Sequence, residues 1–175
     1  TDKEGLSGNQ ILSFCEDTKG NIWIGTNDYG LCKFMGDKFS HFMQKDGMSN
    51  SMVYGVGQDS IGNIWVATGG GGIDKIKLIN GVPTFKNYSD KDGLPANIVS
   101  SIYVGKTYYN QQVWATIPSQ GISKFNGKTF TNYFPKDGLI DNSGIYCIYV
   151  DSKGIVWCGT KEGISLFDGK KFLNK

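Results

Sequence analysis

Apolar residues recur along this chain in short runs separated by glycine and aspartate turns, and nowhere over a useful length at the three-to-four spacing of an amphipathic helix. Four kinds of run follow one another, and the series is repeated four times. The first kind covers residues 11–15, 53–56, 99–103 and 145–150. It carries a small residue at one matched position (Ser13, Gly55, Ser101, with Cys147 in the last copy), which suits crowded inner strands. The second kind holds Gly20-Asn21-Ile22-Trp23-Ile24-Gly25-Thr26, returns as Gly62-Asn63-Ile64-Trp65-Val66-Ala67-Thr68, and returns again around Trp114 and Trp157. Its tryptophan has apolar neighbours on both sides, which predicts burial on both faces of a sheet. The third kind (residues 30–34, 72–76, 121–125 and 163–167) alternates apolar and polar positions, as a half-exposed strand does. The fourth (38–42, 84–88, 129–133 and 171–174) places Phe and Tyr at period two with polar residues between, the pattern of an outer strand with one wet face.

The turns agree with this division. Each copy opens on Lys-acid-Gly-apolar: Lys3-Glu4-Gly5-Leu6, Lys45-Asp46-Gly47-Met48, Lys91-Asp92-Gly93-Leu94 and Lys136-Asp137-Gly138-Leu139. The first and second strands are joined through Asp17-Thr18-Lys19-Gly20, Asp59-Ser60-Ile61-Gly62 and Asp151-Ser152-Lys153-Gly154, where Asp binds local backbone and Gly takes positive φ. The third copy carries the longer stretch 105–112 instead. All four tryptophans of the chain occupy one slot, 42, 49 and 43 residues apart. Four short antiparallel strands per unit of this length, with one aromatic landmark each, predict an all-β fold of β-propeller blades. The blades fall at about 1–44, 45–89, 90–134 and 135–175 of a single segment. One blade cannot bury both of its faces, so blades must stack around an axis.

Composition narrows the function classes. With 18 basic and 16 acidic residues, net charge +2, the chain lacks the dense basic face that nucleic acid requires. No run of about 18 apolar residues is present to span a membrane as a helix. The polar start Thr1-Asp2-Lys3-Glu4 has no signal-peptide pattern and reads as a processed or trimmed terminus.

Written out, the repeat runs Asp-Gly-Leu, Asn-x-Val, Asp-x-x-Gly-Asn-Ile-Trp-Ile-Gly-Thr, Gly-Leu-x-Lys-Phe and Gly-Lys-x-Phe-x-x-Tyr. It closely resembles the two-component regulator propeller repeat, over essentially the whole chain. The resemblance implies a periplasmic sensor region of a hybrid histidine kinase, typical of gut bacteria that scavenge polysaccharides. It further implies sensing of glycan fragments, with the signal passed through neighbouring domains and the membrane. Two features depart from the family pattern. The third copy lacks Asp-x-x-Gly and has Ala115-Thr116-Ile117 for Ile-Gly-Thr. Family sensor regions also carry many more repeats, commonly two seven-bladed rings, so the chain reads as a fragment of a sensor or a short stand-alone relative.

Candidate chemistry is sparse. Cys15, Cys32, Cys147 and Cys158 do not fall at matching repeat positions and form no Cys-x-x-Cys, which argues against zinc. If Ser152-Lys153 is a hairpin tip, Cys147 faces Cys158 across two strands and a strained disulfide is within reach; the alternative is four small buried hydrophobes. Asp90-Lys91-Asp92-Gly93 has the start of a calcium loop without its later ligands, and reads as a turn. Gly69-Gly70-Gly71-Gly72 lacks the Lys and the helix of a phosphate loop, and reads as a flexible inter-strand loop. His41, the single histidine, reads as a solvated strand residue. No cofactor or metal site is expected.

Positions that recur in every copy serve packing, so binding residues are sought where the copies differ on a constant scaffold. The loop between the second and third strands qualifies: Asn27, Asp28 and Tyr29, then Gly69–Gly71, then Ser119 and Gln120 after Pro118, then Lys161 and Glu162. These are the candidate ligand-binding residues, expected on one face and suited to sugar hydroxyls and ring faces. The cluster Tyr108-Tyr109-Asn110-Gln111-Gln112 is a candidate partner contact. The expected function is a non-catalytic, extracytoplasmic ligand-sensing propeller segment that binds an oligosaccharide or other small ligand. The alternative is a generic protein-interaction scaffold, and a propeller lyase is a distant third. Four blades either close as a tight ring or leave two apolar faces for neighbouring blades or a second copy. Blades built from continuous sequence favour the open arc.

Overall fold

The computed structural model describes residues 4–105, 112–140 and 144–175; positions 108–111 of the candidate partner contact therefore lie outside the described residues. Among the described residues, sixteen strands form four four-stranded antiparallel sheets, each a simple meander in chain order. Blade 1 contains β1 (Ile11–Glu16), β2 (Ile22–Thr26), β3 (Leu31–Phe34) and β4 (Phe39–Phe42), and blade 2 contains β5 (Val53–Gln58), β6 (Ile64–Thr68), β7 (Ile73–Ile79) and β8 (Val82–Tyr88). Blade 3 contains β9 (Ser101–Val104), β10 (Val113–Ile117), β11 (Gly121–Phe125) and β12 (Phe130–Tyr133). Blade 4 contains β13 (Ile145–Val150), β14 (Val156–Thr160), β15 (Gly163–Phe167) and β16 (Phe172–Asn174). This is the expected all-β, four-bladed β-propeller architecture. Single-turn 3-10 segments at Gln44–Asp46, Asp90–Asp92 and Pro135–Asp137 carry the chain between blades, each ended by a glycine at positive φ.

Register decides what each blade face presents. In blade 3, Tyr103, Trp114, Lys124 and Thr131 lie in one cross-strand row, and Val104, Val113, Phe125 and Phe130 lie in a row on the opposite face. The Trp row faces the next blade, and the Phe row faces the previous one. Thus Trp65 packs with Val113 and Phe125 of blade 3, and Trp114 with Val156 and Phe167 of blade 4. Trp23 likewise packs with Ile64 and Ile76 of blade 2. Each buried Trp also stacks on the aromatic residue at the end of its own fourth strand, Trp23 on Phe42 at 5.4 Å, Trp65 on Tyr88 at 5.7 Å and Trp114 on Tyr133 at 5.8 Å. Lys33, Lys75 and Lys124 lie over the same rings at 5.4, 4.9 and 5.3 Å, covering the outer end of the slot with a charge that stays wet. The opening-turn residues Met48, Leu94 and Leu139 fill the remaining gap in these three clusters.

The succession is not continued from blade 4 back to blade 1. Strand β1 packs on β5, β5 on β9 and β9 on β13, but no comparable packing joins β13 to β1. Trp23, Trp65 and Trp114 are 0, 3 and 3% exposed, whereas Trp157 is 39% exposed. The four tryptophans therefore do not all perform one inter-blade packing task, as their identical sequence setting predicts; Trp157 faces solvent because no described blade follows it.

The cysteine pairing read from the hairpin is also corrected. The turn at Asp151 is closed by Asp151 N–H donating to the Ile155 carbonyl, with Gly154 at φ 82°. One residue more than a two-residue tip lies in the loop, so Cys147 pairs with Gly159 and Cys158 with Ile148. Adjacent pair positions point to opposite faces of the sheet, and Cys147 and Cys158 form no disulfide. Burial first, and the neighbouring Cys147 second, push the Cys158 thiol up to about 12, so it is an inert packing residue.

Candidate functional site

The predicted loop residues lie in the β2–β3, β10–β11 and β14–β15 connections, at the end of each meander where the chain also enters the first strand of a blade. In blades 1, 2 and 4 a threonine organises the loop. Thr26, Thr68 and Thr160 donate through Oγ1 to the carbonyls of Gly30, Gly72 and Gly163 at 2.8, 2.9 and 3.0 Å. The residue after the threonine bonds back to the segment entering the same blade: Asn27 N–H to Gln10, Gly69 N–H to Met52 and Lys161 N–H to Gly144. Gly30 and Gly72 then donate to Ser51 and Asn97 in the segment that enters the following blade. Blade 3 uses a tighter turn, with Gln120 N–H on the Ile117 carbonyl and Ser119 at φ 60°.

The loops share one face, but only the blade 1 candidates converge. Asn27, Asp28 and Tyr29 line a cavity of about 330 Å³ together with Asn9 and Gln10. Asn27 Nδ2 donates to Asp28 Oδ2 at 2.8 Å, and the Tyr29 ring, 54% exposed, lies over Gly8, where a Cβ would meet the ring at 2.4 Å. Ser119, Gln120, Lys161 and Glu162 do not line this cavity. Asn9 and Gln10 were not among the residues singled out from sequence. A signal was present, because the position of Gln10 is Met52, Ile98 and Gly144 in the other copies.

Gly69–Gly72 proves tightly packed where sequence predicts a flexible loop. A Cβ at Gly69, Gly71 or Gly72 would come within 2.6, 2.2 and 2.1 Å of Met52, Ser49 and the Tyr88 carbonyl. Asp90-Lys91-Asp92 is the predicted turn, with Asp92 Oδ2 accepting from Ser89 N–H at 2.9 Å.

A second cleft, of about 320 Å³, opens at the other end of blades 1 and 2 and is lined by Glu16, Asp17, Thr18, Gln58, Asp59 and Ser60. Its two aspartates and Gln58 are engaged by the fold. Trp23 Nε1 donates to Asp17 Oδ2, Trp65 to Asp59 and Trp157 to Asp151, at 2.9, 2.9 and 3.0 Å, and Gln58 Oε1 accepts from Thr18 N–H at 2.8 Å. The Asp of Asp-x-x-Gly-Asn-Ile-Trp thus fixes the tryptophan six residues on as well as the turn, a role that turn chemistry alone does not reveal. Burial raises the Asp17 pKa, but hydrogen bonds from the Asn21 and Trp23 side chains and the Asn21 and Lys19 backbone outweigh it, and the net shift is downward from 3.8. A lowered folded-state pKa stabilises the fold above the unfolded value, and that contribution is lost as pH falls below about 4 through the folded value. Asp17→Asn is expected to lower the urea midpoint at pH 7 and to narrow the difference between the midpoints at pH 7 and pH 3. An unchanged difference would show that Asp17 is not a source of the acid sensitivity.

His41 is not merely a solvated strand residue. Its Nδ1 lies 3.2 Å from Cys32 Sγ, which also meets Ser7 Oγ at 2.8 Å. The matching positions in the other blades are Asp74 with Asn87, Ser123 with Asn132 and Ser165 with Asn174, all hydrogen-bonded pairs. They tie the opening turn to the outer strands, through Ser49 on Asp74, Asn132 on the Gly93 carbonyl and Asn174 on the Gly138 carbonyl. Cys32 and His41 are the blade 1 version of this structural clamp. Among the described residues no three His, Cys, Asp or Glu side chains converge as metal ligands, and no helix is long and apolar enough to cross a membrane.

Comparison with known proteins agrees with the fold. The two-component regulator propeller family model matches residues 5–28 and 138–162. The extracellular domain of a hybrid two-component system of B. thetaiotaomicron superposes with a TM-score of 0.80 over 100% of this chain and 26% of its own, at 22% identity. Virginiamycin B lyase from Staphylococcus aureus gives 0.75 over 94% of this chain and 55% of its own, at 16% identity. The computationally designed Ika4 protein gives 0.63 over 93% and 94%, at 14% identity. No curated protein sequence matches. The chain spans about a quarter of the length of the B. thetaiotaomicron extracellular domains it resembles. The chain is a four-bladed β-propeller whose first and fourth blades match the two-component regulator propeller model.

Proposed function

We propose that the chain is a non-catalytic, extracytoplasmic sensing segment of a two-component signalling protein, and that its β2–β3 loop face takes a small ligand, an oligosaccharide first. The observation that carries this is the cavity of Asn9, Gln10, Asn27, Asp28 and Tyr29. Side-chain amides and a carboxylate offer both donors and acceptors to hydroxyl groups, and an exposed Tyr ring offers an apolar face to a sugar ring. The repeat match and the likeness to extracellular two-component domains support the signalling context. Signal would arise by differential binding, the ligand favouring one arrangement of the segment and its neighbours over another. The fold is shared with virginiamycin B lyase, but the single histidine here is paired with Cys32 in the clamp, which places the lyase reading behind the sensing one.

Calorimetric titration against a broad oligosaccharide panel tests the proposal. Binding of at least one sugar is expected, and Tyr29→Ala should weaken it about tenfold, on the order of one aromatic contact. Flat titrations across the panel, or a Tyr29→Ala chain that binds as well as the parent, would overturn it.

A further inference from the structure

Of the four loops between second and third strands, only that of blade 1 sets a carboxylate beside an aromatic ring. The matching loops read Gly69-Gly70-Gly71, Pro118-Ser119-Gln120 and Lys161-Glu162. Asp28 and Tyr29 are adjacent, and the backbone that carries them is pinned. Thr26 Oγ1 donates to the Gly30 carbonyl at 2.8 Å and accepts from Tyr29 N–H at 3.1 Å, and Asn27 N–H donates to the Gln10 carbonyl at 3.0 Å. The Tyr29 ring rests against Gly8, where any Cβ would collide with it. The loop is thus ordered before a ligand arrives, which lowers the cost of binding.

The lining offers more acceptors than donors. Asp28 is the one charged side chain among the described residues that line the cavity. Its Oδ2 accepts from Asn27 Nδ2 at 2.8 Å, and its Oδ1 has no partner among the described residues. That bond uses up an amide donor and leaves Asn27 Oδ1 as a further acceptor. Carboxylate and amide oxygens ask a ligand for donors. A sugar hydroxyl brings one, whereas an ammonium group brings three and no acceptor. An ammonium also supplies the opposite charge that Asp28 lacks, and the exposed face of Tyr29 attracts a cation and not an anion. A carboxylate or sulfate on the ligand would instead meet Asp28 at like charge.

We infer that, on the sensing reading above, the ligand of this cavity is an amine-bearing oligosaccharide, with at least one sugar whose amino group is free and protonated. Asp28 and the Tyr29 ring take the ammonium group, and the Asn27 and Gln10 amides take hydroxyls. N-acylated, neutral and acidic sugars of the same size bind less tightly.

Calorimetry with β-1,4-linked tetramers of glucosamine, N-acetylglucosamine and glucose tests this at about pH 6, where a sugar amine holds its proton. The glucosamine tetramer is expected to bind about tenfold more tightly than either neutral tetramer, the combined size of an exposed ion pair and an exposed cation–π contact. Asp28 is exposed, so Asp28→Asn should leave the fold intact while it removes most of that advantage. Salt at about 0.5 M should do the same by screening, with the neutral tetramers within about twofold of their low-salt affinities. Binding of some sugar of the wider panel but not of the glucosamine tetramer would overturn the amine assignment and leave the sensing reading in place. So would a glucosamine advantage that is missing, or one that survives Asp28→Asn. Flat titrations with every sugar would overturn both.

Discussion

Trp65→Ala is expected to destabilise the fold by ~3–5 kcal/mol, the range for deleting a fully buried large aromatic side chain. Three losses coincide at this residue. The indole fills the junction of blades 2 and 3 beside Val113 and Phe125, stacks on Tyr88 at 5.7 Å, and donates to Asp59 at 2.9 Å. Truncation opens a cavity that the two flanking four-stranded sheets cannot collapse into, and leaves Asp59 without its indole donor. Trp157→Ala removes the same side chain from the same sequence setting, yet should cost less than about 2 kcal/mol in dilute solution. Trp157 is 39% exposed, and its removal leaves a shallower groove instead of a void. Urea unfolding followed by far-ultraviolet circular dichroism measures both. Equal losses at the two positions would mean that blade 4 is covered in the single chain.

The second large effect is a backbone one. Gly72→Ala is expected to cost on the order of 3 kcal/mol or more, through left-handed strain and overpacking together. Gly72 has φ 84°, and a Cβ there would sit 2.1 Å from the Tyr88 carbonyl oxygen, which belongs to the blade's own last strand and cannot give way without breaking the sheet edge. Gly81→Ala separates the two contributions. It has φ 83° with nothing within 4 Å of its Cβ, so only the left-handed penalty of about 1–2 kcal/mol applies. Similar unfolding midpoints for the two variants would contradict the steric account. The same clash recurs at Gly30, Gly121 and Gly163, so this glycine is demanded by each blade's geometry and not by a ligand.

Much of the fold was legible because it rests on local rules repeated four times. Period-two alternation, Asp-Gly turns and one Trp per unit specify the strands and their meander without any long-range information, and the strand rows follow from the register those turns impose. Legibility failed wherever one residue of turn length or one missing neighbour decided the outcome. The Asp151–Gly154 turn holds one more residue than a two-residue tip, and that separates Cys147 from Cys158 onto opposite faces. Gly69–Gly72 reads as flexible in sequence because glycine permits many conformations, whereas in three dimensions it permits close approach of Met52, Ser49 and Tyr88. Of the candidate site, the variable loops were found from differences between copies. That the blade 1 loop joins Asn9 and Gln10 in one cavity depends on a backbone bond between Asn27 and Gln10, which no local pattern announces.

By itself, the sequence determined the blade. Hydrophobic periodicity and turn chemistry act within about 45 residues, and the same solution is reached in each copy. Only the tertiary structure decided which blade faces are covered, because coverage depends on what stands beyond a sheet and not on the residues within it. Trp65 and Trp157 occupy one slot in sequence and opposite circumstances in space, one sealed between two blades and one open to solvent.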